Sequence, residues 1–317
     1  MKKQTQVENS KDDHKSDALD YHTPVLLKEA IEGLDIKADG VYVDCTFGGG
    51  GHSKAILEKL GLKGRLIAFD QDQDARKNLP ADERILFVPH NFRHLQRFLR
   101  VNGITEVDGI LADLGVSSYQ FDKGERGFSI RYNGALDMRM DQRQSVTAAG
   151  ILNSFSEQQL HQIFEQFGEV TNSKTLARTI VEERKTKRLT TIEDLKNVLS
   201  PIVKGNPNKY FAQVFQALRI EVNEEMNSLK ELLEQLPLVL KKGGRAVLIT
   251  FHSIEDRWVK IFFRDNTFKT EQENPFETIE KHKSLKIINR KPIVAKPEEV
   301  KRNPRSRSAK IRIAEKI

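Results

Sequence analysis

Hydrophobic positions change period several times along the chain, and the changes mark its elements. Val41–Asp44, Arg65–Asp70, Ile85–Pro89 and Asp108–Leu114 are short apolar runs of the kind that fill a sheet covered on both faces. Helical spacing separates them at Ser53–Leu60 and Leu95–Val101. Such alternation predicts a parallel sheet with right-handed crossovers. From Gly115 to Gln144 it stops, and the chain is polar, irregular and rich in Gly and Arg. Helical patterns follow at Ser156–Phe167, Ser173–Lys185 and Ile192–Leu199, with Ser156, Ser173 and Thr191 as expected caps. One long helix is predicted over Phe211–Leu236, with Pro237 near its end. Arg245–Phe251 resumes the sheet after a Lys242-Gly243-Gly244 turn, and Leu285–Asn289 with Ala309–Ala314 predicts a closing antiparallel pair.

The domain reading follows from this pattern. Residues 1–20 lack apolar periodicity and read as a disordered leader. Residues 21–144 and 206–317 form an α/β core, and 145–205 an all-helical insertion within it.

Composition narrows the class. No apolar run approaches the roughly 20 residues of a spanning helix, so no membrane partner is expected. Met1 to Asp20 has no apolar segment of a signal peptide. The single cysteine, Cys45, excludes an internal disulfide, and the eight histidines make no Cys/His ligand pattern, so no metal is expected. A reducing, cytoplasmic setting is the resulting expectation. Charge adds a partner. Lys283–Ile317 holds seven Lys and five Arg against three Glu, an excess of nine in a chain of net +7, so the rest carries −2. A basic tail on a near-neutral body fits a polyanion such as RNA, or else is a solvated terminus.

Three features converge on the carboxyl ends of the strands, where open α/β sheets bind ligands. Asp44 is followed by Cys-Thr-Phe and the glycines Gly48–Gly51, which let the backbone turn and approach a ligand closely. Asp70 ends the second strand, where a carboxylate accepts from both hydroxyls of a ribose. Asp113 ends the fourth, near the switch point. NAD would favour Gly-x-Gly-x-x-Gly, but Ser53 stands where the third glycine belongs. S-adenosylmethionine (SAM) has no pyrophosphate and suits the three features better. Asp44 either faces its ammonium or braces the loop.

Cysteine usage bears on the reaction. Methylating carbon 5 of a pyrimidine needs a thiolate, and Cys45 sits where a small buried residue is expected. An exocyclic amine or a ribose hydroxyl is the better target. An amine needs an acceptor for its hydrogen and in-line placement more than a strong base. Asp113 is the candidate acceptor; otherwise it positions the cofactor's amino group.

Longer strings then match a known family. They are His22-Thr-Pro-Val-Leu-Leu, Asp44-Cys-Thr-Phe-Gly-Gly-Gly-Gly-His-Ser, Asp113-Leu-Gly-Val-Ser-Ser, Arg126-Gly-Phe-Ser and Leu136-Asp-Met-Arg-Met-Asp. Phe215-Gln-Ala-Leu-Arg-Ile-Glu-Val-Asn, Phe251-His-Ser-Ile-Glu-Asp-Arg and Asn303-Pro-Arg-Ser-Arg-Ser-Ala-Lys continue the series. In these the chain resembles the RsmH (MraW) family of SAM-dependent 16S ribosomal RNA cytosine-N4 methyltransferases. The resemblance implies a Rossmann-like class I methyltransferase core with an inserted helical domain. It implies methylation of the N4 amine of a decoding-site cytidine in 16S ribosomal RNA, within the small ribosomal subunit. By position, SAM contacts fall on Gly50, Gly51, His52, Asp70, Phe92, Asp113 and Gln120. Phe92 suits an apolar wall for the adenine, or a core aromatic. Tyr119 and Ala135 replace the family's usual prolines, Gln213 stands where an arginine is usual, and Val170-Thr171 where arginine is common.

Substrate candidates come from the irregular loop and the tail. Phe128 and Tyr132 are interleaved with Arg126, Arg131, Arg139 and Arg143, a mixture that suits a splayed base and its phosphates. The alternative is a loop anchored in the core by Phe128. Asp137 and Asp141 fit turn caps, and His252 either bonds at the site's rim or precedes a helix capped by Ser253. Arg305 and Arg307 are the expected phosphate contacts of the tail. The competing functional class is a non-catalytic RNA-binding factor in ribosome assembly.

Overall fold

The computed structural model describes residues 24–117, 120–121, 124–268 and 283–317; the predicted leader at 1–20 lies outside them, as do His22 and Tyr119. The apolar runs form β1 (Val41–Asp44), β2 (Arg65–Phe69), β3 (Ile85–Val88) and β4 (Val107–Asp113), joined by β5 (Leu240–Thr250). These five are parallel, in the order 3-2-1-4-5. β6 (Leu285–Ile287), β7 (Ile293–Val294) and β8 (Lys310–Lys316) add an antiparallel edge in which β8 lies along β5 and pairs with both others. The expected closing pair is present, with Leu285 opposite Lys316 and Ile287 opposite Ala314. The fold is a Rossmann-like α/β sheet of the expected class. Strand order reverses between β1 and β4, which opens a crevice beyond their carboxyl ends.

The pleat sorts the strand residues into two cores. Tyr42, Leu66, Leu111 and Val247 face one way and pack on α1 (Leu27–Leu34) and α2 (Gly51–Lys59) through Leu34, Ile56 and Leu60. Val43, Ile67, Ile110 and Leu248 face the other way, with Leu95 and Leu99 of α3 (Leu95–Val101). Each fully buried Leu or Ile contributes about 1.5–3 kcal/mol relative to exposure, so both faces must be covered.

A third core belongs to the helical lobe. It holds α4 (Ala148–Ser154), α5 (Glu157–Gln166), α6 (Ser173–Glu183) and α7 (Ile192–Leu199). Ser156 and Thr191 cap their helices as expected, each in a capping box. Ser173 does not: Asn172 holds the cap position of α6, and no side chain bonds there. The lobe gathers more chain than 145–205, because Phe128, Leu136, Met138 and Met140 pack into it from the irregular loop and Val214, Phe215 and Leu218 from the sequence beyond.

The single helix expected over Phe211–Leu236 is two. α8 (Pro207–Val222) ends at Asn223, Glu224 takes a left-handed conformation (φ 48°), and α9 (Glu225–Val239) begins. Leu218 belongs to the lobe, whereas Leu229, Leu232 and Leu236 pack on the sheet. One run of helical periodicity therefore serves two cores. Asn223 fixes the break: its Nδ2 donates to the carbonyls of Met138 (2.8 Å) and Arg219 (2.9 Å), and its Oδ1 accepts from Met140 N–H (2.7 Å).

The basic C-terminal stretch is built into the sheet, as the expected closing pair requires, and its charge is partly used there. β8 is an interior strand, and Arg312, 7% exposed, pairs with Asp256 at 2.6 Å from α10 (Ser253–Asp265). Lys310 reaches the same carboxylate at 3.2 Å. Part of the charge excess is thus internally paired, and α11 (Pro297–Arg302) carries the rest of the segment past the crevice.

Candidate functional site

The crevice has a volume of about 1150 Å³ and is walled by the tips of β1, β2 and β4, by Pro24–Leu27, and by Asn303–Arg305. Its floor is the loop after β1. Asp44 is fully buried and accepts from Thr46 N–H (3.0 Å) and Ser53 Oγ–H (2.7 Å). It braces the loop and does not face the crevice. Thr46 Oγ1 in turn accepts from the Asp113 N–H at 2.7 Å, tying the loop to β4. Gly50 (φ 76°) turns the chain into α2 beneath the Phe47 ring, where a Cβ would lie 2.9 Å from Cζ. Gly51 opens α2 so close to Pro24 that a Cβ would lie 2.2 Å from its Cγ. Pro24 thereby covers the helix N-terminus that a pyrophosphate would need, which disfavours NAD.

Two carboxylates look into this space without a cation. Asp70 accepts from Gly48 N–H at 2.7 Å and Asp72 N–H at 2.8 Å. Burial raises its pKa to about 7; the two N–H bonds oppose that, and Asp72 and Asp44 add to it. Asp113 is raised to about 6 by burial, opposed by His52 and reinforced by Asp44 and Glu255. Its Oδ1 is buried with no hydrogen-bond partner among the described residues, and Oδ2 stands 3.6 Å from His52 Nδ1. That separation is too long for a hydrogen bond. His52 is itself held by Val25, whose carbonyl accepts from Nε2 at 3.1 Å. The Asp113 side chain keeps 23% of its surface exposed and lines the crevice, so its carboxylate is offered there to a donor brought by a ligand.

Gly51, His52, Asp70, Phe92, Asp113 and Gln120 all line the crevice, while Gly50 shapes the loop behind it. Phe92 is half-buried, one edge against the sheet core and one against the crevice. Gln120 is buried and accepts from Ser117 N–H at 3.1 Å. These residues fit a nucleoside ligand: a ribose acceptor, an apolar wall, a close-approach loop and an unsatisfied carboxylate.

The expected RNA contacts divide. Arg126 is 12% exposed at its side chain and bonded to Asp72 and to the carbonyls of Arg139 and Met140, so it is an internal brace. Phe128 is 6% exposed in the lobe core, with the Arg126 guanidinium 5.4 Å from its centroid, so it offers no face to a base. The sequence could not separate these outcomes, because apolar anchors and stacking platforms use the same side chains. Arg139 forks onto Asp137 (2.8 Å) and caps the carbonyls of Gln142 and Gln144. Arg143 pairs likewise with Asp141 at 2.8 Å. Arg131 and Tyr132 are exposed, and Arg131 lines the crevice. Arg305 lines the opposite wall with its guanidinium 5.3 Å from the Phe121 centroid, and Arg307 is exposed beside it.

A polar cluster missed from sequence lies beyond Asp113. Arg219 forks onto Glu225 at 2.8 and 2.9 Å, and Glu225, Glu255 and Arg219 all line the crevice. His252 caps α10, not Ser253: its Nδ1 accepts from Glu255 N–H (3.4 Å). Ser253 instead donates to Glu169 Oε2 at 3.0 Å. Glu225, His252 and Glu255 bring possible metal-ligand atoms within 4.8 Å of one another. Arg219 already supplies the cation there, so the arrangement is an ion-pair network. Only chain folding unites Arg219, Glu225 and Glu255.

Comparison with known proteins agrees with this geometry. The model of the MraW methylase family matches residues 20–317. The ribosomal RNA small subunit methyltransferase H of Azobacteroides pseudotrichonymphae genomovar. CFP2 is 53% identical over 304 residues, covering 94% of this chain and 98% of its own. The proteins of the same name from Parabacteroides distasonis and Flavobacterium johnsoniae are 52% and 51% identical; each match covers 94% of this chain and, respectively, 98% and 99% of the relative.

Proposed function

The chain belongs to the MraW methylase family, and from that premise we propose that it methylates the exocyclic N4 amine of a decoding-site cytidine in 16S ribosomal RNA, within the small subunit. S-adenosylmethionine is the methyl donor and supplies an electrophilic methyl group on sulfur. Three residues and the glycine loop would hold it: Asp70 accepting from the ribose hydroxyls, Phe92 walling the base, and Gly51 with His52 backing the amino-acid end along the loop.

The observation that supports the reading is the Asp113 carboxylate, which lines the crevice with no hydrogen bond from a cationic side chain among the described residues. A nucleobase amine has its lone pair drawn into the ring and must shed a hydrogen as it is alkylated. An acceptor held at that hydrogen aligns the nitrogen and favours the charge it develops. Asp113 is placed by Thr46 at its backbone, and its carboxylate is kept near the edge of ionisation by burial. Cys45 borders the crevice but is only 2% exposed, and burial with the nearby Asp44 charge pushes its thiol well up. That argues against covalent attack on a pyrimidine ring.

The lobe and the rim are the proposed RNA grip. Arg131 and Arg305 line the crevice and Arg307, two residues on, is exposed; all three suit phosphates. Calorimetric titration with SAM, followed by transfer of labelled methyl to small-subunit particles, tests the reading. Wild type should bind SAM and transfer label, and Asp113→Ala should transfer none while keeping its thermal transition. Full activity in Asp113→Ala would refute the role given to that carboxylate.

A further inference from the structure

A carboxylate outside every motif above stands between the crevice and the helical lobe. Asp72 is 3% exposed and lies two residues past Asp70. Its N–H donates to Asp70 Oδ1 at 2.8 Å. Its own Oδ2 accepts from Gln120 Nε2 (2.8 Å) and Arg126 Nη1 (2.6 Å), and its Oδ1 accepts from Asp74 N–H (3.1 Å). Arg126 carries the path on: Nη2 donates to the carbonyls of Arg139 (2.6 Å) and Met140 (3.0 Å). Met140 N–H then bonds Asn223, at the break between the lobe's last helix and the sheet's α9. Asp70 is thus joined to the helical lobe by an unbroken hydrogen-bonded line.

The chemistry of the line matters more than its length. The Asp72 and Arg126 side chains are 5% and 12% exposed, and burying such a pair carries a large desolvation cost. Apolar side chains of similar volume would fill the space as well. An ion pair whose guanidinium also donates to two backbone carbonyls adds direction. Asp70 has no counter-ion, so its orientation rests on the N–H groups of Gly48 and Asp72. The Asp72 side chain anchors the peptide that presents the second of these. Gln120, a crevice residue, hangs from the same oxygen.

We propose that Asp72 and Arg126 are positioning residues that couple the nucleoside end of the SAM site to the loop and lobe on the substrate side. The proposal rests on the reading that Asp70 takes the ribose hydroxyls. Coupling of this kind is reciprocal: whatever fixes Arg126 and the 124–140 segment also sets the Asp70 carboxylate, and the converse.

Direct SAM binding by the full chain, measured by calorimetry from pH 5.5 to 8.5, tests it. Asp72→Asn and Arg126→Gln should each weaken SAM binding about fivefold or more, and the double variant should be no worse than either single one. The pH response separates coupling from general damage. The charged groups facing Asp70 are Asp44 from the β1 tip and Asp72 from its own segment, with Arg126 and Asp74 beyond Asp72. Asp72→Asn removes an anion and leaves the guanidinium, so the pH midpoint of SAM binding should fall. Arg126→Gln leaves Asp72 without its counter-ion, so the midpoint should rise. Loss of packing alone does not produce opposite shifts. Should Arg126→Gln fail to fold, Arg126→Lys keeps the charge without the bridge from Asp72 to the Arg139 and Met140 carbonyls and should still lose affinity at an unchanged midpoint. Folded variants with SAM affinity within about twofold of wild type, or midpoints moving the same way, would overturn the proposal. A wild type that binds no SAM would remove the ribose reading itself, a result distinct from intact binding that ignores both substitutions.

Discussion

Asp113 combines a raised pKa with a carboxylate oxygen that has no partner among the described residues, and its ionisation predicts opposite pH trends for activity and stability. The folded-state pKa of about 6 exceeds the ordinary 3.8, so the fold favours the protonated acid. The stability this contributes is complete below pH 3.8 and is lost as pH rises through 6. Asp70, raised to about 7, acts in the same sense. The ligand-free protein should therefore lose stability between pH 5 and 8, while methyl transfer, which in the proposed roles needs both carboxylates ionised, should gain over the same range. Asp113→Asn should raise ligand-free stability at pH 8 by about 1–2 kcal/mol and abolish transfer. Chemical denaturation at pH 5 and 8 checks the first; an unchanged difference between the two pH values would contradict it. Asp70 and Asp113 were legible from sequence because strand-end carboxylates follow directly from the strand pattern. Asp72 was not, since an acidic residue in a polar segment gives no sign of burial until Arg126 arrives from 54 residues away.

At the scale of elements, the opening of α2 governs access. Gly51 allows Pro24 to rest on the helix start, and Val25 then holds His52. Gly51→Ala forces the Pro24 segment outward, an overpacking cost of about 1–3 kcal/mol that should weaken SAM binding about tenfold. Equilibrium binding measures this, and an unaltered dissociation constant would show that Pro24–Leu27 is no part of the cofactor wall. The strands were legible because each is a short apolar run with both faces covered. The break at Asn223–Glu224 was not, because α8 and α9 continue one apolar period while burying their faces in different cores. A periodicity argument cannot detect a change of partner. His252 escaped for a similar reason, since Ser253 is the commoner capping residue and only the α10 geometry shows which residue caps.

For the whole molecule, the sheet and the helical lobe meet over the crevice, joined by the 128–140 segment and the Asn223 break. In the proposed reading the cofactor side and the substrate side belong to different cores, which suits an enzyme that holds a small donor and a large polyanion together. The net +7 is the electrostatic part of that design, though Arg312 and Lys310 are spent on Asp256. Exposed Arg307 remains for phosphate. Arg307→Ala should lower the slope of log affinity against log salt by about 1 for small-subunit RNA. An unchanged slope would return that arginine to a solvated role.

The chemical identity of the product decides whether an exocyclic cytidine amine is the target. Small-subunit particles lacking the modification are incubated with the protein and SAM, and the RNA is digested and its nucleosides resolved by mass spectrometry. Wild type should give N4-methylcytidine at a single decoding-site position, and Asp113→Ala should give none. A methyl group on carbon 5, on a ribose oxygen or on another base would contradict that target.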